Sequence, residues 1–186
     1  MKHAPNLLLL ALVLVASFAG IGRAQDSDAD KLQSSLDKWS ELKEKCGGNY
    51  RYFVRTSSFT GAGTETEIAV LNHKVAVRRY RVIGPPIPLP PGPNGRPPMP
   101  EAPKYEWTEQ GETIGKHKEG APPKTLDELY AQAQQVLARK LTEHEKRFVR
   151  FDKQGLLSSC FTIDTRIADD APVHGVVIAE IRLETK

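Results

Sequence analysis

The chain has 186 residues, with 26 Lys and Arg against 23 Asp and Glu, a formal net charge of +3, and 39% hydrophobic residues. A chain of this length makes one domain of ordinary size, able to bury about two-thirds of its unfolded surface. Interspersed charges so close to balance exclude the strongly basic footprint of a nucleic-acid-binding protein.

The first 24 residues read as a cleavable signal peptide. Lys2 supplies a basic start, and Leu7 to Ala16 is an unbroken apolar run. Gly22 and Ala24 stand at −3 and −1 to a cut before Gln25, the small-residue pattern that signal peptidases accept. The run is shorter than the roughly 20 residues needed to span a bilayer. No cysteine directly follows it, so a lipid-anchored N-terminus is not expected. Removal of Lys2 and Arg23, with no acid lost, lowers the net charge from +3 to +1. The expected address is the periplasm or the medium, without stable membrane insertion after cleavage. The mature segment 25–186 is then a single α+β domain.

Residues 25–30 form a polar leader. Leu32, Leu36, Trp39 and Leu42 recur at helical spacing and predict an amphipathic helix, which Gly47–Gly48 stops. Tyr50 to Val54 is aromatic and β-branched, hence a strand. Gly61 and Gly63 turn the chain into a second strand over Thr64–Leu71. Asn72–His73 predicts a tight turn into a third strand, Lys74–Ile83.

Residues 84–103 hold ten of the fourteen prolines. Proline lacks the amide donor that helices and sheets need, so this stretch is expected to be a loop inserted between strands, with a PxxP docking segment as the alternative. Tyr105 to Thr108 is read as a short strand, and Gly111 to Gly120 as a polar loop. Thr125 and Glu128 form a capping box at the start of a second helix, whose buried face is Leu126, Leu129, Tyr130, Ala133, Val136 and Leu137. Strands follow at Glu145–Phe151 and Leu156–Asp164, the latter with Leu157, Phe161 and Ile163 on one side. Val173–Leu183 is the last strand.

The expected architecture is an antiparallel sheet with one face covered by two amphipathic helices. Arg51-Tyr52-Phe53-Val54-Arg55 after the first helix parallels Lys146-Arg147-Phe148-Val149-Arg150 after the second, which suggests tandem α-β-β-β halves.

Chemistry is sparse. There is no GxSxG, P-loop, HExxH or dinucleotide fingerprint, and no cofactor is expected. Cys46 and Cys160 either form a disulfide in an oxidising compartment or remain two buried thiols. Asp164, Asp169 and Asp170, with His174 close behind, form the densest acidic cluster. Such oxygen donors suit a divalent cation or shared acid/base work, while Asp-rich turns closed by Pro172 have the same composition. Asp169, Asp170 and His174 are the metal candidates, and a cleft gathering them with His117 or Glu119 would mark an enzyme. Glu65 and Glu67 fit a solvated strand face, able to pair with Arg78, Arg79 and Arg81 across the hairpin; an anion-binding arginine patch is the sharper alternative. Trp39 and Trp107 either pack in the core or line a ligand pocket.

Trp39 before Tyr50-x-Tyr52-x-Val54, then Val70-x-Asn72-x-Lys74-Val75, make one set of short motifs. Thr125-Leu126-Asp127-Glu128-Leu129-Tyr130, Phe151-Asp152-x-x-Gly155, Ile163-Asp164 and Asp169-Asp170 make a second. Together, over about residues 36–180, they resemble a group of small exported bacterial proteins, often lipoproteins, classed as a domain of unknown function. The resemblance implies an envelope location and supplies no catalytic residues. The expected function is therefore a non-catalytic envelope or extracellular domain binding a ligand or an envelope protein. The alternative is a metal-dependent or acid/base hydrolase built on Asp164, Asp169, Asp170 and His174.

Overall fold

The computed structural model describes residues 27–57, 61–84, 103–167 and 173–184. The segment expected to be a signal peptide, most of the proline-rich stretch, and Asp169 and Asp170 lie outside them. Helix α1 (Asp28–Lys45) opens on Ser27, whose hydroxyl accepts the Asp30 amide while the Asp30 carboxylate accepts the Ser27 amide. This capping box satisfies amides that the first turn leaves unpaired. Leu32 and Trp39 from the apolar stripe are fully buried. Strands β1 (Tyr50–Ser57), β2 (Gly63–Leu71) and β3 (Lys74–Ile83) form an antiparallel meander. Asn72 and His73 take positive φ angles of 49° and 65°, the twisted two-residue turn that suits a hairpin. The short strand falls two residues later than expected, as β4 (Trp107–Gln110), at the open edge of β3.

Helix α2 (Leu126–Ala138) begins with the capping box of Thr125 and Glu128. It is followed by β5 (Glu145–Phe151), β6 (Leu157–Asp164), β7 (His174–Val177) and β8 (Glu180–Leu183). The fold is α+β, with antiparallel strands throughout. Each half is a helix followed by a three-strand meander. Phe53 and Phe148, the central residues of the paralleled pentapeptides, occupy corresponding places on the first strand of each half.

Two expectations change. The strands form two sheets, ordered β4-β3-β2-β1-β8 and β5-β6-β7, and the last predicted strand is divided between them. At Ile178 the amide still donates to Ser158 of β6; at Ala179 it donates to Phe53 of β1. The chain changes partners there, because one continuous strand cannot follow two sheets that diverge. In β6 the alternation is also broken. Arg150 pairs with Ser159 and Phe151 with Leu157, so Ser158 is an extra residue and the period of two slips. Leu157 and Cys160 therefore both enter the core, while Phe161 stacks on Phe148 with centroids 5.3 Å apart.

Buried tyrosines join helices to sheets. Tyr50 Oη accepts the Leu126 amide at 2.9 Å, and Tyr52 Oη donates to the Lys124 carbonyl at 2.6 Å. Tyr130 Oη accepts the Leu157 amide and lies 2.7 Å from Ser35 Oγ. Burial pushes all three phenols upward in pKa, so they stay neutral donors and acceptors. Cys46 and Cys160 are free and buried. Each thiol faces a helix carbonyl, of Lys43 and Ala133 respectively, and burial raises the pKa of Cys160.

Candidate functional site

Strand β8 covers β1 only from Tyr50 to Phe53. Beyond that point the two sheets part. Val54–Ser57 keeps β2 on one side, and β7 keeps β6 on one side. Between them lies a cleft of about 570 Å³, within the ~300–1,000 Å³ range usual for ligand sites. Tyr52, Val54, Leu129 and Val176 give it apolar surface, and Thr56, Thr64 and Gln132 give it polar groups. Thr56 and Thr64 share a hydroxyl hydrogen bond of 2.7 Å.

The cleft has main-chain edges. The Phe53 carbonyl faces the β8 side, and main-chain direction alternates along a strand, so the amides and carbonyls of Arg55 and Ser57 face the cleft. Among the described residues no strand pairs with them. Opposite, Ile178 bonds β6, so Gly175 and Val177 turn toward the cleft. The Gly175 carbonyl accepts Gln132 Nε2 at 3.0 Å, and Gln132 Oε1 accepts Lys124 Nζ at 2.6 Å. Glycine is required there: φ is 151°, and a Cβ would stand 2.2 Å from the Cys160 carbonyl oxygen.

One wall of the cleft, Gly120 to Pro122, is held by a buried clamp. Arg78 and Glu109 are 2% and 0% exposed and pair at 2.8 Å. Arg78 also donates to the carbonyls of His117, Glu119 and Ala121. Glu109 accepts the amides of Gly115 and His117 and meets His117 Nδ1. Trp107 is sandwiched between Tyr80 and His117, with Arg78 4.7 Å from its ring centre. Burial opposes ionisation of Glu109, but the His117 amide, Arg78 and the Gly115 amide outweigh it and hold the pKa at about 2. A depressed folded-state pKa stabilises the fold above the unfolded value of about 4.3, and that contribution is lost as pH falls toward 2. Urea midpoints of the wild-type protein are expected to fall across this window. Glu109→Gln should start lower at neutral pH and fall less steeply, since only groups such as Glu128 and Asp164, also lowered by hydrogen bonds, still titrate. Parallel slopes for the two proteins would refute the assignment.

On the opposite face of the same sheet, Glu65 and Glu67 are buried, not solvated. Each is covered by two arginines. Glu65 binds Arg55 and Arg81, and Glu67 binds Arg51 and Arg79. Tyr105 also donates to Glu67. Arg78 does not join them, because alternation sends it to the clamp side. The pairing of Glu65 with Arg81 and Glu67 with Arg79 is one residue off the register that the Asn72–His73 turn alone would set, because Ala76 is an extra residue in β3 between the partners of Val70 and Ala69.

Of the acidic cluster, Asp164 and His174 fall among the described residues. Asp164 is gripped by Arg166 through Nε and Nη2. His174 is exposed and pairs in register with Thr162. His117 and Glu119 belong to the clamp, and Trp39 and Trp107 are packed away from the cleft. Among the described residues, no three His, Cys, Asp or Glu side chains converge as metal ligands, and no helix is long and apolar enough to cross a membrane. No family model matches the chain, and neither a curated protein nor a solved structure does.

Proposed function

We propose that this is an exported, non-catalytic binding domain that takes an extended segment of an envelope protein into the split between β1 and β7. The carrying observation is the free edge of β1. Among the described residues, Arg55 and Ser57 present unpaired main-chain groups beside a cleft with apolar and hydroxyl lining. An added strand satisfies such an edge, and the lining selects alternate side chains. The free stretch Val54–Ser57 spans about 13 Å, at roughly 3.3 Å per residue, enough for four residues of a partner. The export signal, the loss of residues 1–24 and kinship with small envelope proteins belong to the same reading. It is supported by the capping box that opens α1 at Ser27, the third residue beyond the proposed cut. The bond of Asp164 to Arg166 weighs against the hydrolase alternative.

The test uses exported chain, whose first residue by N-terminal sequencing is Gln25 on this proposal and Met1 against it. Random peptides displayed on phage are selected on it. Enriched peptides should show alternating apolar residues and should slow hydrogen exchange at the amides of Arg55, Ser57 and Val177. Thr56 is exposed, so Thr56→Trp should change stability by no more than about 0.5 kcal/mol. By filling the cleft it should weaken peptide binding by more than about tenfold. Equal binding by that variant, or enrichment without protection of those amides, would remove the cleft as the site.

A further inference from the structure

The outer face of the five-stranded sheet carries a second concavity, of about 320 Å³. Its floor is the buried pair Glu65 and Glu67 on β2. Five guanidinium groups surround that floor: Arg51 and Arg55 from β1, Arg79 and Arg81 from β3, and Arg182 from β8. Arginines from three strands thus line one concavity.

The local charge does not balance. Four carboxylates, Glu65 and Glu67 beneath and Glu180 and Glu184 at the rim, face five arginines, an excess of one positive charge. The rim carboxylates Glu184 and Glu180 are spent on Arg51 and on Arg55 and Arg182. Arg79 makes one long contact of 3.4 Å with Glu67, and Arg81 directs Nε and Nη2 to Glu65. Arg182 spends only Nε, on Glu180. Among the described residues, this leaves Arg79 Nε and Nη2, Arg81 Nη1 and both terminal nitrogens of Arg182 without acceptors. The planes are held in place as well. Arg182 lies 4.7 Å from the Phe53 ring centre and Arg79 5.5 Å from that of Tyr105. Rigid guanidinium groups approaching from several sides suit an acceptor with oxygens in several directions, whereas a planar carboxylate engages one fork.

We propose that this cleft binds a doubly charged tetrahedral oxyanion, a phosphate or sulfate group, between Arg79, Arg81 and Arg182. The site lies across the sheet from the peptide cleft and does not depend on it.

The test titrates the chain from Gln25 with inorganic phosphate, near neutral pH and at low ionic strength, where screening is weakest. Sodium chloride at matched ionic strength is the control. Arginine Nε–H resonances report each guanidinium. Saturable shifts at Arg79, Arg81 and Arg182 are expected with phosphate and not with chloride. Arg79→Gln and Arg182→Gln, on separate strands, should each weaken binding by about tenfold or more. The wild-type resonance map carries the test even where a variant folds poorly. A hexose 6-phosphate binding at least tenfold tighter than phosphate would assign an esterified group. Equal affinity would assign the free ion. Shifts that never saturate, that chloride reproduces, or that survive in both variants would overturn the proposal.

Discussion

Arg78→Ala is expected to destabilise the protein by about 3–5 kcal/mol, the usual cost of removing one partner from a buried pair. At this chain length that lowers the melting temperature by roughly 6–20 °C. The reason is geometric as well as electrostatic. Without Arg78, Glu109 is left as a buried charge at 0% exposure, and three carbonyls of the 117–121 segment lose their donor. Replacing both partners by apolar residues often restores stability where a buried pair is only a pair. Here Arg78→Met with Glu109→Leu should recover little, because the Gly115 and His117 amides then lose their acceptor too. Differential scanning calorimetry on the single and double variants separates the cases. A double variant as stable as wild type would mean that the segment does not need the clamp.

Trp39→Ala is the second large effect, at about 3–5 kcal/mol for a buried aromatic truncated in a core. Trp39 is 0% exposed, meets Tyr50 edge-on at 4.8 Å and donates Nε1 to Asp127 at 3.1 Å. One ring therefore ties α1 to the start of α2 and to β1. Aromatic pairs of this geometry add about 0.5–1.5 kcal/mol beyond area burial. Urea unfolding should show the full loss in the midpoint. Trp39→Phe should recover part of it, keeping a six-membered ring in the core while losing the rest of the indole and the Asp127 bond. A loss below about 1 kcal/mol would place the helix junction elsewhere.

Where the sequence reading succeeded, the information was local. The 3.6-residue stripe of Leu32, Leu36, Trp39 and Leu42, the capping box at Thr125 and the turn at Asn72–His73 each depend on neighbours within a few residues. Where it failed, a distant segment intervened. Nothing near Val173–Leu183 announces that its two halves will pair with different strands, β6 and β1, far apart in sequence. Nothing near Glu67 says that Arg51 and Tyr105 will lie over it.

By itself, then, the order of residues determined the helices, most of the strands, the Asn72–His73 turn and the α+β class, since these follow from periodicity, turn chemistry and end-capping. Only the tertiary structure decided that the strands divide into two sheets, leaving part of β1 without a second strand partner among the described residues beside one cleft, and that five arginines line another above two buried carboxylates. Both outcomes come from contacts between segments separated by tens of residues. Their free energy depends on which surfaces meet in three dimensions, and no local pattern encodes that.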